Sequence, residues 1–177
     1  MCRCPRRLIN MTESEFNERQ AVVAEALSWH QTPYHHAARV KGQGVDCAWF
    51  LADSFAAAGL ISRIEMENYP PDWHMHKNDE RYLRKVLEYA DKIDACPAPL
   101  PGGEACKNGP CAKCAIPLPG DIAMYKFGRC TAHGAIIIRW PRLIHPVIGI
   151  GVEIGEAFSA QLEETFQGIY RLGGWDR

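Results

Sequence analysis

Cysteine attacks carbonyl carbon as its thiolate, and the thiolate is favoured where sulfur sits at a helix N-terminus beside an imidazolium. One stretch of the chain offers that placement. In Gly44-Val45-Asp46-Cys47-Ala48-Trp49-Phe50 a glycine-bearing loop passes into an apolar run. Asp46 has the chemistry of an N-cap, Ala48 to Ala58 reads as helix, and Gly59 reads as its stop. Far downstream, Ala132-His133-Gly134 sets an imidazole at the opening of an apolar β-pattern, and His145 follows twelve residues later. That offset spans a strand, a turn and the next strand, which returns both side chains to one sheet face. A free cysteine by itself more often packs as a small hydrophobe, and a lone histidine before a strand is more often an ordinary core or edge residue. Their coexistence in this order points to a nucleophile and its base.

The rest of the chain must position these groups. At 177 residues, 47% hydrophobic and 23% charged, it is long enough to bury a core as one domain without cross-links. A formal net charge of −1 provides no global attraction to nucleic acid or anionic lipid, although Arg3, Arg6 and Arg7 form a small basic cluster in an expected flexible tail, residues 1–10. No apolar run approaches the ~20 residues of a membrane span, so no membrane insertion is expected. Met1 to Asn10 lacks the apolar core of a secretory signal, so synthesis in the cytoplasm is expected.

Met11 to His30 reads as a first helix, with Thr12 and Glu15 spaced as a capping box. The Cys47 helix is the second, with Leu51, Phe55 and Ala58 on its buried stripe. Tyr69 to Asn78 reads as an irregular loop around Pro70-Pro71 and His74-Met75-His76. From Asp79 to about Ile93, Tyr82, Leu83, Val86, Leu87, Ala90 and Ile93 recur at helical spacing. Beyond Gly120-Asp121, short strands are expected over Ile122–Phe127, Ala135–Arg139, Leu143–His145, Val152–Ile154 and Ile169–Leu172. Helices first and an antiparallel sheet second make an α+β fold: one domain over 11–177 with an inserted lobe at about 95–119.

Several positions together carry a family likeness. Trp29, Thr32-Pro33-Tyr34, the Asp46-Cys47 helix, Gly59-Leu60, Gly120-Asp121, Ala132-His133-Gly134-Ala135-Ile136 and His145 resemble the NlpC-type, papain-like cell-wall cysteine peptidases. Tyr69 to Leu83 looks most like the phage-borne branch, associated with tail tips. The likeness runs from about Ala21 to Ile154, leaving out the insertion. It implies a papain-like fold of N-terminal helices on a small antiparallel sheet, and hydrolysis of the stem peptides of bacterial peptidoglycan without a catalytic cofactor. It further implies other tail-tip proteins as partners, a place in the virion, and action in the host periplasm and wall. Cys47 would be the nucleophile, paired as thiolate with the His133 imidazolium. His145 would orient His133, and Tyr34 would stand beside the acyl carbon with the Cys47 N–H at the oxyanion. Asp46 is expected as cap or substrate-amine contact, and His35 and His36 as substrate contacts near Tyr34. The chain departs from the family in having Ala48 and Trp49 where serine and glycine commonly follow the nucleophile, and Trp49 is expected to narrow the cleft.

Cys96, Cys106, Cys111 and Cys114 lie within nineteen residues, in a segment of proline, glycine and cysteine with no periodic apolar pattern. Four thiolates suit a structural zinc, and an iron–sulfur cluster accepts the same ligands; two disulfides formed after release, or free thiols in a loose loop, are the alternatives. Two other functions stay open: a structural tail-tip or assembly protein with vestigial or regulated activity, and an amidase or acyltransferase on the same fold.

Overall fold

The computed structural model describes residues 11–76, 78–95, 115–159 and 162–176. The basic tail and the four clustered thiols lie outside the described residues.

Helix α1 spans Glu13–Ser28, and its cap is the predicted one: the Thr12 side chain accepts from the Glu15 N–H at 3.1 Å. A small hairpin of β1 (Arg39–Val40) and β2 (Gly44–Val45), not foreseen, then feeds helix α2, Cys47–Ala57. A short helix α3 covers Trp73–His76 inside the segment expected to be irregular, because Trp73 is drawn into the core beneath the Arg81 guanidinium. Helix α4 is only Arg81–Leu87. The expected helix to Ile93 is replaced by strand β3, Ala90–Ile93, whose backbone pairs antiparallel with the last strand. Local spacing favoured helix there, and an available sheet edge overrode it.

Strands β4 (Ile122–Phe127), β5 (Cys130–Arg139), β6 (Arg142–Val147), β7 (Gly151–Glu156) and β8 (Phe166–Asp176) complete a six-stranded antiparallel sheet ordered β3-β8-β4-β5-β6-β7. β5 starts five residues before its expected beginning, so His133 lies within the strand and faces Tyr125 of β4 in register. Alternation divides the sheet into two apolar faces. Ile122, Met124, Ile136 and Ile144 pack under α1 and α2, while Ala123, Tyr125, Ala135, Ile137 and Leu143 fill the opposite face. Ala95 and Ala115, on either side of residues 96–114, pair with each other.

Asp121 stands at the mouth of β4 with no solvent exposure and receives Arg19 of α1 and Arg171 of β8. Arg19 lies over the Trp175 ring, 4.0 Å from its centroid. This buried knot ties the first helix to the centre and end of the sheet.

Candidate active site

Asp46 is the N-cap of α2: one carboxylate oxygen accepts from the N–H groups of Ala48 and Trp49. The other accepts from the Ala37 N–H at 2.8 Å and the Tyr69 hydroxyl at 2.5 Å. With four bonds and 1% exposure, Asp46 is held as the cap, and it also lines the cavity beside Cys47. Ala37 adopts a positive φ of 55°, and its bond to Asp46 helps hold that costly turn, which carries Tyr34 to His36 past the helix start. Tyr34 bridges Val45, and its phenol has no hydrogen-bond partner among the described residues.

Cys47 therefore opens α2, half-buried, with its thiol 3.5 Å from the Ala132 carbonyl oxygen. The register of β4 against β5 slips at this point: Tyr125 faces His133, but Lys126 faces Thr131. Ala132 is the extra residue of a β-bulge, a device that re-aims neighbouring side chains. The bulge sits directly before His133. His133 Nε2 lies 2.8 Å from His145 Nδ1, and both rings are nearly buried. Ile137 faces Leu143 across β5 and β6, so odd-numbered residues of the two strands share a face, as the twelve-residue spacing predicts. Phe127 and Tyr125 flank the His133 ring. Gly155 of β7 makes room for His145: a Cβ there would sit 3.1 Å from its Nε2.

Cys47, Tyr34, His133 and His145 line one open cavity of about 1060 Å³. Its electrostatics differ from the expected ion pair. Burial, reinforced by the Asp46 charge, pushes the Cys47 thiol up to about 12, although the N–H groups of Cys47 and Ala48 pull the other way. Burial, then His145, pushes His133 down to about 3, and burial pushes His145 down to about 4. The helix start does favour thiolate, but desolvation and the neighbouring cap outweigh it. Burial thus favours a neutral thiol beside two neutral imidazoles. Burial also raises Tyr34, with further contributions from Cys47 and Asp46, so its phenol stays protonated.

Other expected contacts divide sharply. His36 lines the cavity, its Nε2–H donating to the Tyr69 carbonyl at 2.7 Å, with Tyr69 edge-on. His35 is exposed and packs on Gly44, outside the cavity lining, so its substrate role is not supported. Trp49 is buried and covered by Arg39, whose guanidinium is 4.0 Å from its ring centroid; it does not narrow the cleft, because its position on α2 faces the core. His74 lines the far wall and His76 bonds Asp72 at 2.9 Å. No cluster of three or more potential metal ligands occurs among the described residues. Sequence reasoning missed Tyr69 and Tyr82 as site residues. Tyr69 carries no local pattern, and Tyr82 reads as one more apolar position of a helix.

No protein-family model and no curated protein matches the chain. Solved structures do. An NLP/P60-family protein from Staphylococcus aureus subsp. aureus Mu50, described as similar to lipoprotein, superposes with TM-score 0.55 at 18% identity, over 92% of this chain and 44% of that one. The fold is that of the NlpC/P60 proteins. An NlpC/P60 family protein from Bacillus cereus ATCC 10987 gives TM-score 0.54 at 16% identity, over 93% of this chain and 41% of its own. The NlpC/p60 domain of peptidoglycan hydrolase SagA gives 0.51 at 17%, over 87% and 98%. The chain thus spans less than half the length of the first two proteins and nearly all of the isolated NlpC/P60 domain. At these identities the NlpC/P60 likeness is one of fold, and the side chains carry the functional argument.

Proposed function

We propose that the chain is a cysteine peptidase that cleaves stem peptides of bacterial peptidoglycan. The observation that carries this reading is the meeting, in one cavity, of a helix-opening Cys47 with the His133–His145 pair at 2.8 Å. The fold shared with a peptidoglycan hydrolase domain supports the substrate class.

Because the resting groups are neutral, activation is concerted with attack. His133 is the Nε2–H tautomer, donating to His145 Nδ1, which leaves His133 Nδ1 free to accept a proton. As Cys47 sulfur bonds to the acyl carbon, its proton passes to that nitrogen, and the carbonyl electron pair moves to oxygen. Tyr34 O–H and the Cys47 N–H donate to this oxyanion. Collapse expels the amine, which takes the proton from His133, and water then releases the acyl group from sulfur. A neutral His145 suits its task as acceptor, which a protonated ring could not perform. Cys47→Ala in the full chain is expected to abolish release of muropeptide fragments from purified sacculi; release at the wild-type rate would remove Cys47 from the chemistry.

The likeness of Tyr69 to Leu83 to phage-borne relatives supports a finer placement, at a tail tip, acting on the wall during entry; recovery of the chain in purified virions tests it. One observation favours a second reading, a tail-tip scaffold with a quiet site: Cys47 is pushed up and His133 down, both against the ion pair. Under that reading wild type and Cys47→Ala release equally little.

A further inference from the structure

Glu80 stands at the start of α4, where a capping side chain is expected, yet its carboxylate makes no capping bond to that helix. It crosses to the sheet instead and accepts from the Thr131 N–H of β5 at 2.8 Å. Asp79 beside it is taken up by Arg81 and Arg84. Thr131 is buried, and it directly precedes Ala132, the extra residue of the β5 bulge, and then His133. A bulge interrupts the ladder, so a buried N–H next to it needs an acceptor from elsewhere.

The neighbouring strands do little to fix this bulge. β5 pairs with β6 only from Ile136 onward, and β4 itself changes register against β8 between Met124 and Tyr125. The start of β5 is tied to the helical layer instead. Just before the strand, the Arg129 N–H donates to the His74 carbonyl of α3 at 2.9 Å, and two residues later comes the bond to Glu80. The groups that follow belong to the candidate site: the Ala132 carbonyl oxygen is 3.5 Å from the Cys47 thiol, and His133 meets His145. α4 also reaches the nucleophile's side, since the Tyr82 hydroxyl donates to the Cys47 backbone carbonyl at 3.0 Å. One short helix thus touches both the strand of the base and the first residue of the nucleophile helix.

We propose that Glu80 is a positioning residue for His133: its carboxylate oxygen holds the Thr131 N–H, which keeps β5 bulged at Ala132 and the His133 ring on His145 within the Cys47 cavity. Withdrawing the acceptor orphans a buried donor, and the strand recovers by closing the bulge, which exchanges side-chain faces on one side of it. The role depends on reach and not on charge, because any oxygen at that point accepts the bond. Glu80 touches no reacting atom and moves no proton.

The proposal rests on Cys47 and His133 carrying the peptidase reaction, so it is tested by two readouts, one of which needs no substrate. In the full chain, hydrolysis of a purified muropeptide is followed for kcat and KM, and the ring nitrogen and proton resonances of His133 are recorded in protein labelled at histidine. Glu80→Gln keeps the oxygen and loses the charge, and is expected to match wild type in both readouts. Glu80→Asp keeps the charge but falls one methylene short. It is expected to lower kcat about ten- to a hundredfold, with KM held within about twofold, and to move the His133 resonances. Glu80→Ala, which removes the acceptor outright, repeats the test should the aspartate variant not fold. A folded Glu80→Asp or Glu80→Ala with wild-type kcat and resonances overturns the role of Glu80. So does a Glu80→Gln as impaired as Glu80→Asp, which would make charge the decisive property, and so does failure of both shortened variants to fold, which would make Glu80 structural. A wild type that hydrolyses no muropeptide overturns the peptidase reading itself, and the His133 resonances then still decide the role of Glu80.

Discussion

Two buried polar clusters hold this sheet to its helices, and they are bonded in opposite ways. Around Asp121 every oxygen is used: Arg19, both arms of Arg171 and the Leu118 N–H converge on it within 2.7–3.0 Å. Opposite charges meet there with each carboxylate oxygen accepting two hydrogen bonds, which favours burying the ions. Around His133 the bonding is thin. Two neutral imidazoles share one contact, the Tyr34 phenol has no partner among the described residues, and the cavity opens beside them. A saturated cluster has nothing left to offer a ligand, whereas an under-bonded one holds donors and acceptors in reserve. The contrast fits Asp121 to architecture and His133 to the proposed chemistry.

The largest expected effect breaks the saturated side. Asp121→Asn removes the buried carboxylate on which Arg19 and Arg171 converge and is expected to cost about 3–5 kcal/mol in denaturant unfolding, with activity per folded molecule kept. Loss of activity in a fully folded Asp121 variant would blur the division between the clusters.

A smaller effect sharpens the other side. The folded-state pKa values of His133 and His145, about 3 and about 4, lie below the ordinary 6.5, so between these limits the unfolded chain binds more protons. Stability from these groups is complete above about pH 6.5 and is lost as pH falls toward 4 and then 3. The double variant His133→Gln, His145→Gln is expected to show a shallower decline than wild type over this window. Equal slopes would mean that the two rings are not held neutral by burial.

How much of this was legible in the sequence follows from the range of each interaction. The caps at Thr12 and Asp46 are local, lying within three residues of their targets, and both are where the pattern puts them. The shared face of His133 and His145 follows from strand parity alone. The short α4 and the strand β3 depend on a distant sheet edge, so spacing within Asp79 to Ile93 could not reveal them. The Ala132 bulge is equally a property of the β4–β5 pairing, not of either strand. Trp49 looked like a cleft residue beside the nucleophile, but two residues along the helix it is turned under Arg39. The expected thiolate–imidazolium pair is opposed for a related reason: the helix start is visible in sequence, while the enclosure that pushes Cys47 up is made by side chains from distant parts of the chain.

The central claim is that the under-bonded pair does chemistry and is not a second structural knot. Its most direct test is His133→Gln in the full chain, with muropeptide release from purified sacculi and the unfolding midpoint measured on the same preparation. The account predicts release reduced at least about a hundredfold with the midpoint unchanged at neutral pH; a folded variant that releases muropeptides at the wild-type rate would contradict it.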